Sequence, residues 1–414
     1  MMTAIRTFSY GSNRMMFHYA TALREAGHEV TFAYEAVPTP EDVRTGELLP
    51  ELQAAGISTV HIPRLSRAMI PGMSGGFARE VRQREIDLII STQLRDAPGT
   101  MAVAVRCGIP GVVFAQGAPY FQGSALSRFA KRSFYRRALR SHARRIVCVA
   151  PAIRDRLVQQ LDVPADKLTV VLNGLNPDTI PAPDSSHRAS VRREFGFADD
   201  EFIFITIGRF DEVKGLDILV DAVERIVRSG TAKELARFKV IIAAEAYCPR
   251  SIAYRESIER MIEKAGLTSY FVFPGFRSDC NRLLQAADSF LLPSRSEGMP
   301  LVVLEAFAAG CPVVMSEYGE RFAGFHDGSD GFYVPVEDAG ALADAMARMM
   351  QLSVAERRDI GIRGRHYLKQ NLTLKGGQDK FADVIQRVLG KSVSGSQRLA
   401  EAAALSSAFG NNHR

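Results

Sequence analysis

Short apolar segments alternate with segments of helical periodicity along most of the chain. In the first half the predicted strands are Ala4 to Phe8, Val30 to Ala33, Asp87 to Ile90, Gly111 to Phe114, Ile146 to Val149 and Thr169 to Leu172. A helix is predicted after the first strand, because Met16, Ala20 and Leu23 recur at helical spacing. Near-continuous apolar strands separated by helices are typical of a buried parallel sheet.

A proline-rich segment, Asn176 to His187, interrupts this alternation and predicts a domain boundary. The alternation then restarts with predicted strands at Phe202 to Ile207, Val240 to Ala243, Phe271 to Phe273, Phe290 to Leu292 and Pro312 to Met315. The fold class predicted from the pattern is therefore α/β, with two successive doubly wound units. Ligands of such sheets bind beyond the carboxyl ends of the strands, so a cleft between the two is the expected site.

Composition narrows the class of protein. At 414 residues, with 46% apolar and 24% charged residues, the chain suits two soluble globular domains. No apolar run is long enough to span a membrane, and the start lacks the pattern of a secretory signal. Five scattered cysteines without a C-x-x-C pair favour a reducing cytoplasm. A net charge of +6 favours anionic ligands or an anionic surface.

Two glutamates lie eight positions apart in the stretch Pro293 to Val314. Glu297 is predicted in the loop beyond a strand, and Glu305 on the second turn of a helix that Pro300 opens. Both carboxylates then face one cleft. Backbone N–H groups at the helix start suit an anion. These groups belong to Gly298, Met299, Leu301 and Val302.

A second motif, Ile205 to Asp217, places two cations after a predicted strand that ends at Gly208. Arg209 and Lys214 lie in the loop, and Gly215 precedes a helix. Two cations near the positive start of a helix suit a diphosphate. The alternative is that both are solvated loop charges, which the nearby glutamate stretch makes the weaker interpretation.

The segment Arg128 to Arg145 contains eight Lys or Arg residues and no acid, with Phe129, Phe134 and Tyr135 among them. As a helix it suits peripheral binding to anionic lipid. A contact with an anionic acceptor and a merely solvated helix face remain open alternatives. An apolar loop of Met69, Ile70, Pro71 and Met73 would add to a lipid contact. No nucleic-acid recognition motif accompanies the basic segment, so nucleic acid is not an expected partner.

The motif G-R-F-x-x-x-K-G-L-D, followed by S-E-G-M-P-L-V-V-L-E-A-F-A-A-G-C-P-V-V, resembles the donor-binding half of the GT4-type retaining glycosyltransferases of the GT-B fold. The resemblance covers about residues 4 to 390, densely in the second half and loosely in the first. It implies two Rossmann-like domains that face a central cleft. Residues 1–180 would form the acceptor domain and 181–372 the nucleotide-sugar donor domain. A helix at 373–391 would return to the first domain, and 392–414 would form a flexible tail.

The resemblance also implies roles for individual residues. Arg209 and Lys214 match the pair that grips the donor diphosphate, and with Glu297, beside the donor sugar, they would form the catalytic set. Glu305 matches the carboxylate that accepts from the ribose hydroxyls. Further donor contacts are implied at Gly11, Gly208, Phe276, Arg277, Gly298, Met299, Pro300 and Leu301. Gln116 and His18 would lie near the acceptor and the donor sugar.

Three features depart from the family pattern. The first loop has only Gly11 where a Gly-Gly pair is usual, and Gln116-Gly117 stands where many members have His-Gly. Glutamine cannot take a proton at neutral pH, which a front-face retaining mechanism tolerates. Ala244 to Tyr247 replaces a glycine-rich turn, so the rim of the donor pocket is expected to differ.

The expected activity is transfer of a sugar from a UDP- or GDP-sugar to a hydroxyl of a glycan, glycolipid or small molecule, with retention. No cofactor or metal is expected, since two cations serve the diphosphate and the chain lacks a D-x-D triplet. Polysaccharide or lipopolysaccharide biosynthesis in the cytoplasm, peripheral to the inner membrane face, is the expected setting. A sugar-nucleotide epimerase, a phosphorylase or a catalytically silent sugar-nucleotide-binding protein are the alternatives.

Overall fold

The computed structural model describes residues 1–4, 11–35, 48–63, 65, 74–117, 124–180, 184–230, 237–318, 322 and 325–390. Three sequence-based predictions lie outside these residues. They are the greater part of the first predicted strand (residues 5–8), the apolar loop of Met69, Ile70, Pro71 and Met73, and the flexible tail at 392–414.

Two compact units make up the chain. Unit 1 comprises Met1–Leu172 together with the chain from Gly376 onward, and unit 2 comprises Asn173–Lys375. The domain boundaries predicted from the sequence, after residues 180 and 372, stay predictions.

Unit 1 is built on a parallel sheet of seven strands in the order β3-β2-β1-β4-β5-β6-β7. Its strands are β1 (Met2–Ala4), β2 (Thr31–Tyr34), β3 (Ser58–His61), β4 (Ile89–Ser91), β5 (Gly111–Ala115), β6 (Arg145–Cys148) and β7 (Leu168–Val170). Its helices before residue 172 are α1 (Ser12–Glu25), α2 (Leu48–Ala54), α3 (Gly75–Gln83), α4 (Ala97–Cys107), α5 (Ala125–Arg137) and α6 (Pro151–Leu161). Strand order reverses between β1 and β4, as in a doubly wound fold.

Unit 2 contains a parallel sheet of six strands in the order β10-β9-β8-β11-β12-β13. The strands are β8 (Phe202–Arg209), β9 (Phe238–Glu245), β10 (Phe271–Val272), β11 (Ser289–Leu292), β12 (Val313–Ser316) and β13 (Phe332–Val334). The helices are α7 (Ser185–Phe195), α8 (Leu216–Arg228), α9 (Pro249–Lys264), α10 (Cys280–Ala286), α11 (Leu301–Ala309), α12 (Ala339–Gln351) and α13 (Val354–Asn371). Both sheets confirm the predicted α/β fold class.

Burial explains why the central strands were readable from the sequence. Every residue of β5 and β11 is buried, and such strands read as continuous apolar runs. The edge strand β3 has one buried residue, Val60, and includes the exposed Ser58 and His61, so it gives no apolar run. A close backbone contact also shapes unit 2. A Cβ on Gly361 in α13 would lie 2.0 Å from the carbonyl oxygen of Gly310, which places α13 directly against the end of α11.

The last described helix, α14 (Leu374–Val388), begins at the end of unit 2 and packs into unit 1. Phe381 is fully buried between Tyr19 of α1 and Phe114 of β5, with ring centroids 4.6 and 5.6 Å apart. Gln378 Nε2 donates to the carbonyl oxygen of His18 at 2.8 Å. The first unit's core therefore includes side chains from both ends of the described chain.

Candidate functional site

The loop after β8 places Lys214 at the end of a short 3₁₀ helix. Asp211 precedes the 3₁₀ turn Glu212–Lys214, and its carboxylate accepts from the Val213 N–H at 3.1 Å. Gly215 then adopts a left-handed backbone (φ 65°) and leads into α8. Glycine takes this conformation without the steric cost that a Cβ brings. Lys214 consequently lies directly at the carboxyl edge of the unit 2 sheet.

The loops after β8 and β11 are pressed together at this glycine. A Cβ on Gly215 would lie 2.1 Å from the carbonyl oxygen of Pro293. The Arg295 N–H donates to the Val213 carbonyl at 2.8 Å, so the two loops also share a backbone hydrogen bond. Both candidate motifs of the sequence therefore meet through their main chains.

Arg295 and Asp217 tie the same loops together through their side chains. The guanidinium donates to both Asp217 oxygens, at 2.9 and 2.6 Å, and to the Glu212 carbonyl at 2.6 Å. Burial raises the pKa of Asp217, but hydrogen bonds from Arg295 and Tyr254 outweigh it, and the pKa lies below its ordinary value. Sequence reasoning missed this pair, although its signal was present as an arginine and an aspartate inside the two motifs.

Replacing Gly215 with alanine is expected to lower both stability and activity. The new Cβ would carry left-handed strain and would collide with the Pro293 carbonyl, costing about 1–3 kcal/mol. Thermal unfolding should show a lower Tm than that of Gly266→Ala. Gly266 is a matched control because it is also left-handed (φ 71°) but has open space at the Cβ position. Equal Tm values for the two variants would contradict close packing of the loops.

The structure brings Lys214 and Glu297 into direct contact. Lys214 Nζ donates to Glu297 Oε1 at 2.7 Å, and Ser294 Oγ donates to the same oxygen at 2.8 Å. The two side chains are only 18% and 13% exposed. Tyr318 is buried nearby, and burial together with the negative charge of Glu297 raises its pKa well above the ordinary value. A shielded ion pair therefore stands where the sequence predicted two separate site residues.

Arg209 is held by an aromatic residue and not by this ion pair. Its Nη1 donates to the Tyr247 hydroxyl at 3.0 Å, and the guanidinium lies 6.0 Å from the centre of the Tyr247 ring. Gly208 precedes it at the end of β8, and a Cβ there would be only 3.5 Å from Lys214 Cε. The Arg209 side chain is exposed at the edge of the sheet, where it is available to an anion.

The glutamate helix α11 begins one residue later than predicted, because Pro300 is its N-cap with an extended backbone (ψ 114°). Met299 and Pro300 are buried, and the Met299 carbonyl accepts from Asn173 Nδ2 at 3.2 Å. The first N–H groups of a helix lack intrahelical partners. Gly298 is part-buried beside them, and the start of α11 next to Glu297 is suited to an anion.

Glu305 lies on the second turn of α11, as predicted, and is part-buried. Burial raises the pKa of its carboxyl above the ordinary value. Among the residues that the structure describes, none forms a hydrogen bond or ion pair with this carboxylate. An unpaired acceptor at this position is suited to hydroxyl donors from a ligand.

Arg277 is engaged by carboxylates, which the sequence analysis did not foresee. It forms ion pairs with Glu194 and with Asp279, the latter at 2.7 Å, and Arg282 joins the same two acids. The hydrogen bonds that Arg277 donates to Asp279 and Glu194 raise its pKa above the ordinary value. Phe276 is 40% exposed and follows the left-handed Gly275. The donor contacts implied for Phe276 and Arg277 stay predictions.

The candidate residues of unit 1 lie at the start of α1 and the end of β5. Gly11 is the left-handed N-cap of α1 (φ 60°) and is exposed. Gln116 follows β5 directly, and its Nε2 donates to the Thr92 carbonyl at 2.9 Å. His18 is half-buried on α1, and burial and the positive charge of Arg14 lower its pKa. Their roles toward a ligand remain predictions.

The described part of the chain contains neither a metal-binding cluster nor a membrane-spanning helix. No group of three or more His, Cys, Asp or Glu residues there is arranged to hold a metal ion. No helix there has the length and apolar character needed to cross a membrane.

Two family models match the chain, one in each half of the sequence. Residues 10–179 match the model described as Glycosyltransferase Family 4, and residues 187–367 match that described as Glycosyl transferases group 1. The chain belongs to the GT4-type glycosyltransferases. The expected resemblance is confirmed, and the second match spans the candidate donor-binding residues of unit 2, from Gly208 to Glu305.

Curated relatives of this GT4-type chain match it in part. A D-inositol 3-phosphate glycosyltransferase from Saccharomonospora viridis is 31% identical over 206 residues, 47% of this chain and 47% of the relative. The Escherichia coli UDP-Gal:alpha-D-GlcNAc-diphosphoundecaprenol alpha-1,3-galactosyltransferase is 23% identical over 205 residues, 50% and 51% of the two chains. The matched region spans about half the length of these curated relatives.

Among solved structures, Anabaena HepE in complex with UDP and glucose superimposes with a TM-score of 0.76 at 17% identity. The match covers 93% of this GT4-type chain and 98% of HepE. At this identity the likeness shows the fold, and the GT-B fold predicted from the motifs is confirmed.

Proposed function

We propose that the protein is a retaining glycosyltransferase that moves a sugar from a nucleoside diphosphate donor to a hydroxyl of a glycan, glycolipid or small molecule. The observation that carries this proposal is the shielded contact between Lys214 and Glu297 at the carboxyl edge of the unit 2 sheet. The start of α11 and the unpaired carboxylate of Glu305 adjoin it in sequence and supply sites for phosphate and ribose.

Charge development explains why these groups would accelerate transfer. Breaking the anomeric bond places negative charge on the departing diphosphate and positive charge on the sugar. Lys214 and Arg209 would stabilise the first, and Glu297 lies beside Lys214 where it would face the second. Glu297 also holds the Lys214 amine in one direction before the donor arrives, and such preorganisation avoids a reorganisation cost during the reaction.

A uridine diphosphate sugar is the first donor to test, with GDP-sugars second. HepE, which shares the fold, is described with UDP-glucose, and the Escherichia coli relative is named for UDP-Gal. The acceptors named for relatives, an inositol phosphate and a lipid-linked sugar, support a hydroxyl acceptor. A relative from Rhizobium meliloti, named as a lipopolysaccharide core biosynthesis mannosyltransferase, supports a role in polysaccharide or lipopolysaccharide biosynthesis.

Retention is proposed because unit 1 has Gln116 where a histidine base would be needed for inversion. Its amide nitrogen already donates to Thr92, and an amide does not take a proton at neutral pH. The proton of the acceptor hydroxyl would then pass to the leaving phosphate oxygen on the same face of the sugar. No metal is assigned a role, because Lys214 and Arg209 supply the positive charge.

The deciding experiment incubates the protein with UDP-, GDP- and ADP-sugars and measures the free nucleoside diphosphate, with and without EDTA. Slow release from one donor, unaffected by EDTA, is expected. Interconversion of the sugar would indicate an epimerase, phosphate-dependent formation of a sugar phosphate would indicate a phosphorylase, and tight binding without turnover a silent binder. Once an acceptor is found, NMR of the anomeric proton in the product tests retention.

We also propose that α5 binds an anionic membrane surface. None of its residues is buried, and Leu126, Phe129 and Phe134 are 78%, 70% and 54% exposed. Exposed apolar side chains among cations are characteristic of helices that lie in a lipid interface. A merely solvated helix face does not require three large apolar side chains in water.

Neutralising Arg132, Arg136 and Arg140 to glutamine should weaken sedimentation with phosphatidylglycerol vesicles by roughly 100-fold in partition coefficient, since each cation contributes about 1 kcal/mol. Neutral phosphatidylcholine vesicles should bind little of either protein. The matched control replaces Arg228, Arg260 and Arg358, three exposed arginines of unit 2. Unchanged binding of the α5 variant, or equal loss in the control, would count against a specific lipid surface.

A further inference from the structure

Asp96, at the start of α4, has a carboxylate that the fold does not use. The residue is 2% exposed, and neither carboxylate oxygen has a hydrogen-bond partner among the residues that the structure describes. Aspartate is among the residue types that most often cap a helix through the side chain, yet Asp96 occupies the N-cap of α4 without making that bond. Buried polar groups are nearly always paired, so an unpaired acid requires an explanation.

A second unpaired group lies one turn further along α4. The Thr100 hydroxyl is fully buried and has no hydrogen-bond partner within the described part of the chain. Positions four apart share one face of a helix, so Asp96 and Thr100 are neighbours on α4. Together they provide two strong acceptors and one hydroxyl that can donate or accept.

These groups lie on the ligand-binding edge of unit 1. Asp96 follows β4 by a short segment, and ligands of parallel sheets bind beyond the carboxyl ends of the strands. Thr92 of this segment accepts the hydrogen bond from Gln116, a residue already expected near the acceptor. The unpaired acid is thus joined to the edge of the sheet where an acceptor would bind.

Burial makes the Asp96 carboxyl a weaker acid than an exposed aspartate. Burial raises the pKa of Asp96 to about 7, with Arg95 lowering it and Glu35 raising it. Tyr135 faces it from α5, and burial and the charge of Asp96 raise the pKa of that phenol. A phosphate would be repelled by these acids, and an apolar ligand would leave the oxygens unpaired. Hydroxyl groups of a ligand can donate hydrogen bonds to the Asp96 oxygens without either penalty.

We propose that Asp96 and Thr100 form a hydroxyl-binding subsite in unit 1 that receives a polyol, the acceptor sugar. This deepens the proposed function, on which it rests, by naming residues that recognise the acceptor. The Asp96 carboxylate accepts from one hydroxyl of the polyol, and the Thr100 hydroxyl pairs with an adjacent one. The polyol would then supply the hydrogen-bond partners that both side chains lack in the structure.

Saturation-transfer NMR with millimolar D-glucose, D-mannose and myo-inositol tests the subsite without knowledge of the natural acceptor. At pH 8 we expect at least one of these polyols to give a signal with the wild-type protein. Asp96→Asn and Thr100→Val should each reduce that signal at least fivefold. Asp155→Asn, an exposed aspartate on α6, is the matched control and should leave the signal unchanged.

Thermal unfolding between pH 4 and 8 separates binding from a structural role. The folded-state pKa of Asp96 lies above the unfolded value of 3.8, so its contribution to stability is present below pH 3.8 and is lost as pH rises through about 7. Asp96→Asn removes this dependence. At pH 8 the variant should melt at the wild-type temperature or above it, while polyol binding is lost.

Two results would overturn the subsite. One is a lower Tm at pH 8 with undiminished polyol binding in Asp96→Asn, which would make Asp96 structural. The other is a wild-type protein that gives no polyol signal at any of the three sugars. Failure of the proposed function would look different, because it would appear as absence of nucleoside diphosphate release by the wild type, independent of Asp96.

Discussion

Replacing Lys214 with alanine is expected to lower kcat with the preferred sugar donor by on the order of 10² or more, because a preorganised cation at a developing anion contributes several kcal/mol to the transition state. The variant also leaves Glu297 part-buried without its 2.7 Å partner. A second negative charge would then stand beside the departing diphosphate. Donor release assays under saturating substrate measure the effect directly.

Two further variants make the Lys214 result specific. Lys264→Ala, an exposed lysine at the end of α9, should keep the wild-type rate. Combining Lys214→Ala with Glu297→Gln should cost less than the sum of the separate changes, because the two side chains act as a pair. A Lys214→Ala enzyme with near-wild-type kcat would remove the loop after β8 from the catalytic machinery.

The second large effect is expected at Glu305. Changing it to glutamine should weaken binding of the nucleoside diphosphate by roughly 10- to 100-fold, because hydrogen bonds to a charged group contribute about 1.5–3 kcal/mol. Val303→Ala, a buried residue on the same helix that is not among the predicted donor contacts, is a control for general disturbance of α11. Calorimetric titration with UDP, the nucleotide bound in HepE, provides the measurement.

The affinity of the wild-type protein for UDP is expected to change with pH in a defined direction. Burial raises the pKa of Glu305, so a larger fraction of the carboxyl is protonated in mildly acidic solution than for an exposed glutamate. Only the ionised form accepts from both ribose hydroxyls. Wild-type affinity should therefore fall as pH is lowered, and Glu305→Gln should show a flatter profile. Equal slopes for the two proteins would argue that the ribose lies elsewhere.

Much of the fold follows from the sequence because its central strands are buried on both faces. The strands β5 and β11 and the first five residues of β8 are mostly apolar and fully buried, as is typical of a parallel sheet covered on both faces. Other strands cannot be predicted from apolar runs. The edge strand β3 is half polar, and β13 is a three-residue strand that pairs with β12. Their assignment depends on strand pairing, which the local pattern does not encode.

The sequence identified candidate site residues better than it predicted which of them are in contact. Motif spacing identified Lys214, Glu297 and Glu305, but the contact of the first two depends on Gly215 fitting under the Pro293 carbonyl. Arg277 shows the reverse, since its charge suggested a ligand while the fold supplies Glu194 and Asp279. Asp96 gave no local signal, because only its burial and lack of partners distinguish it from an ordinary helix cap.

The placement of Phe381 affects how the chain must fold during synthesis. Tyr19 and Phe114 leave the ribosome early, whereas the ring that fills the space between them is translated after the whole of unit 2. Unit 2 is continuous in sequence and can fold as a unit once it emerges. Unit 1 has to hold an incomplete aromatic core until nearly the end of translation, so a nascent chain stalled before residue 381 exposes apolar surface that chaperones would recognise.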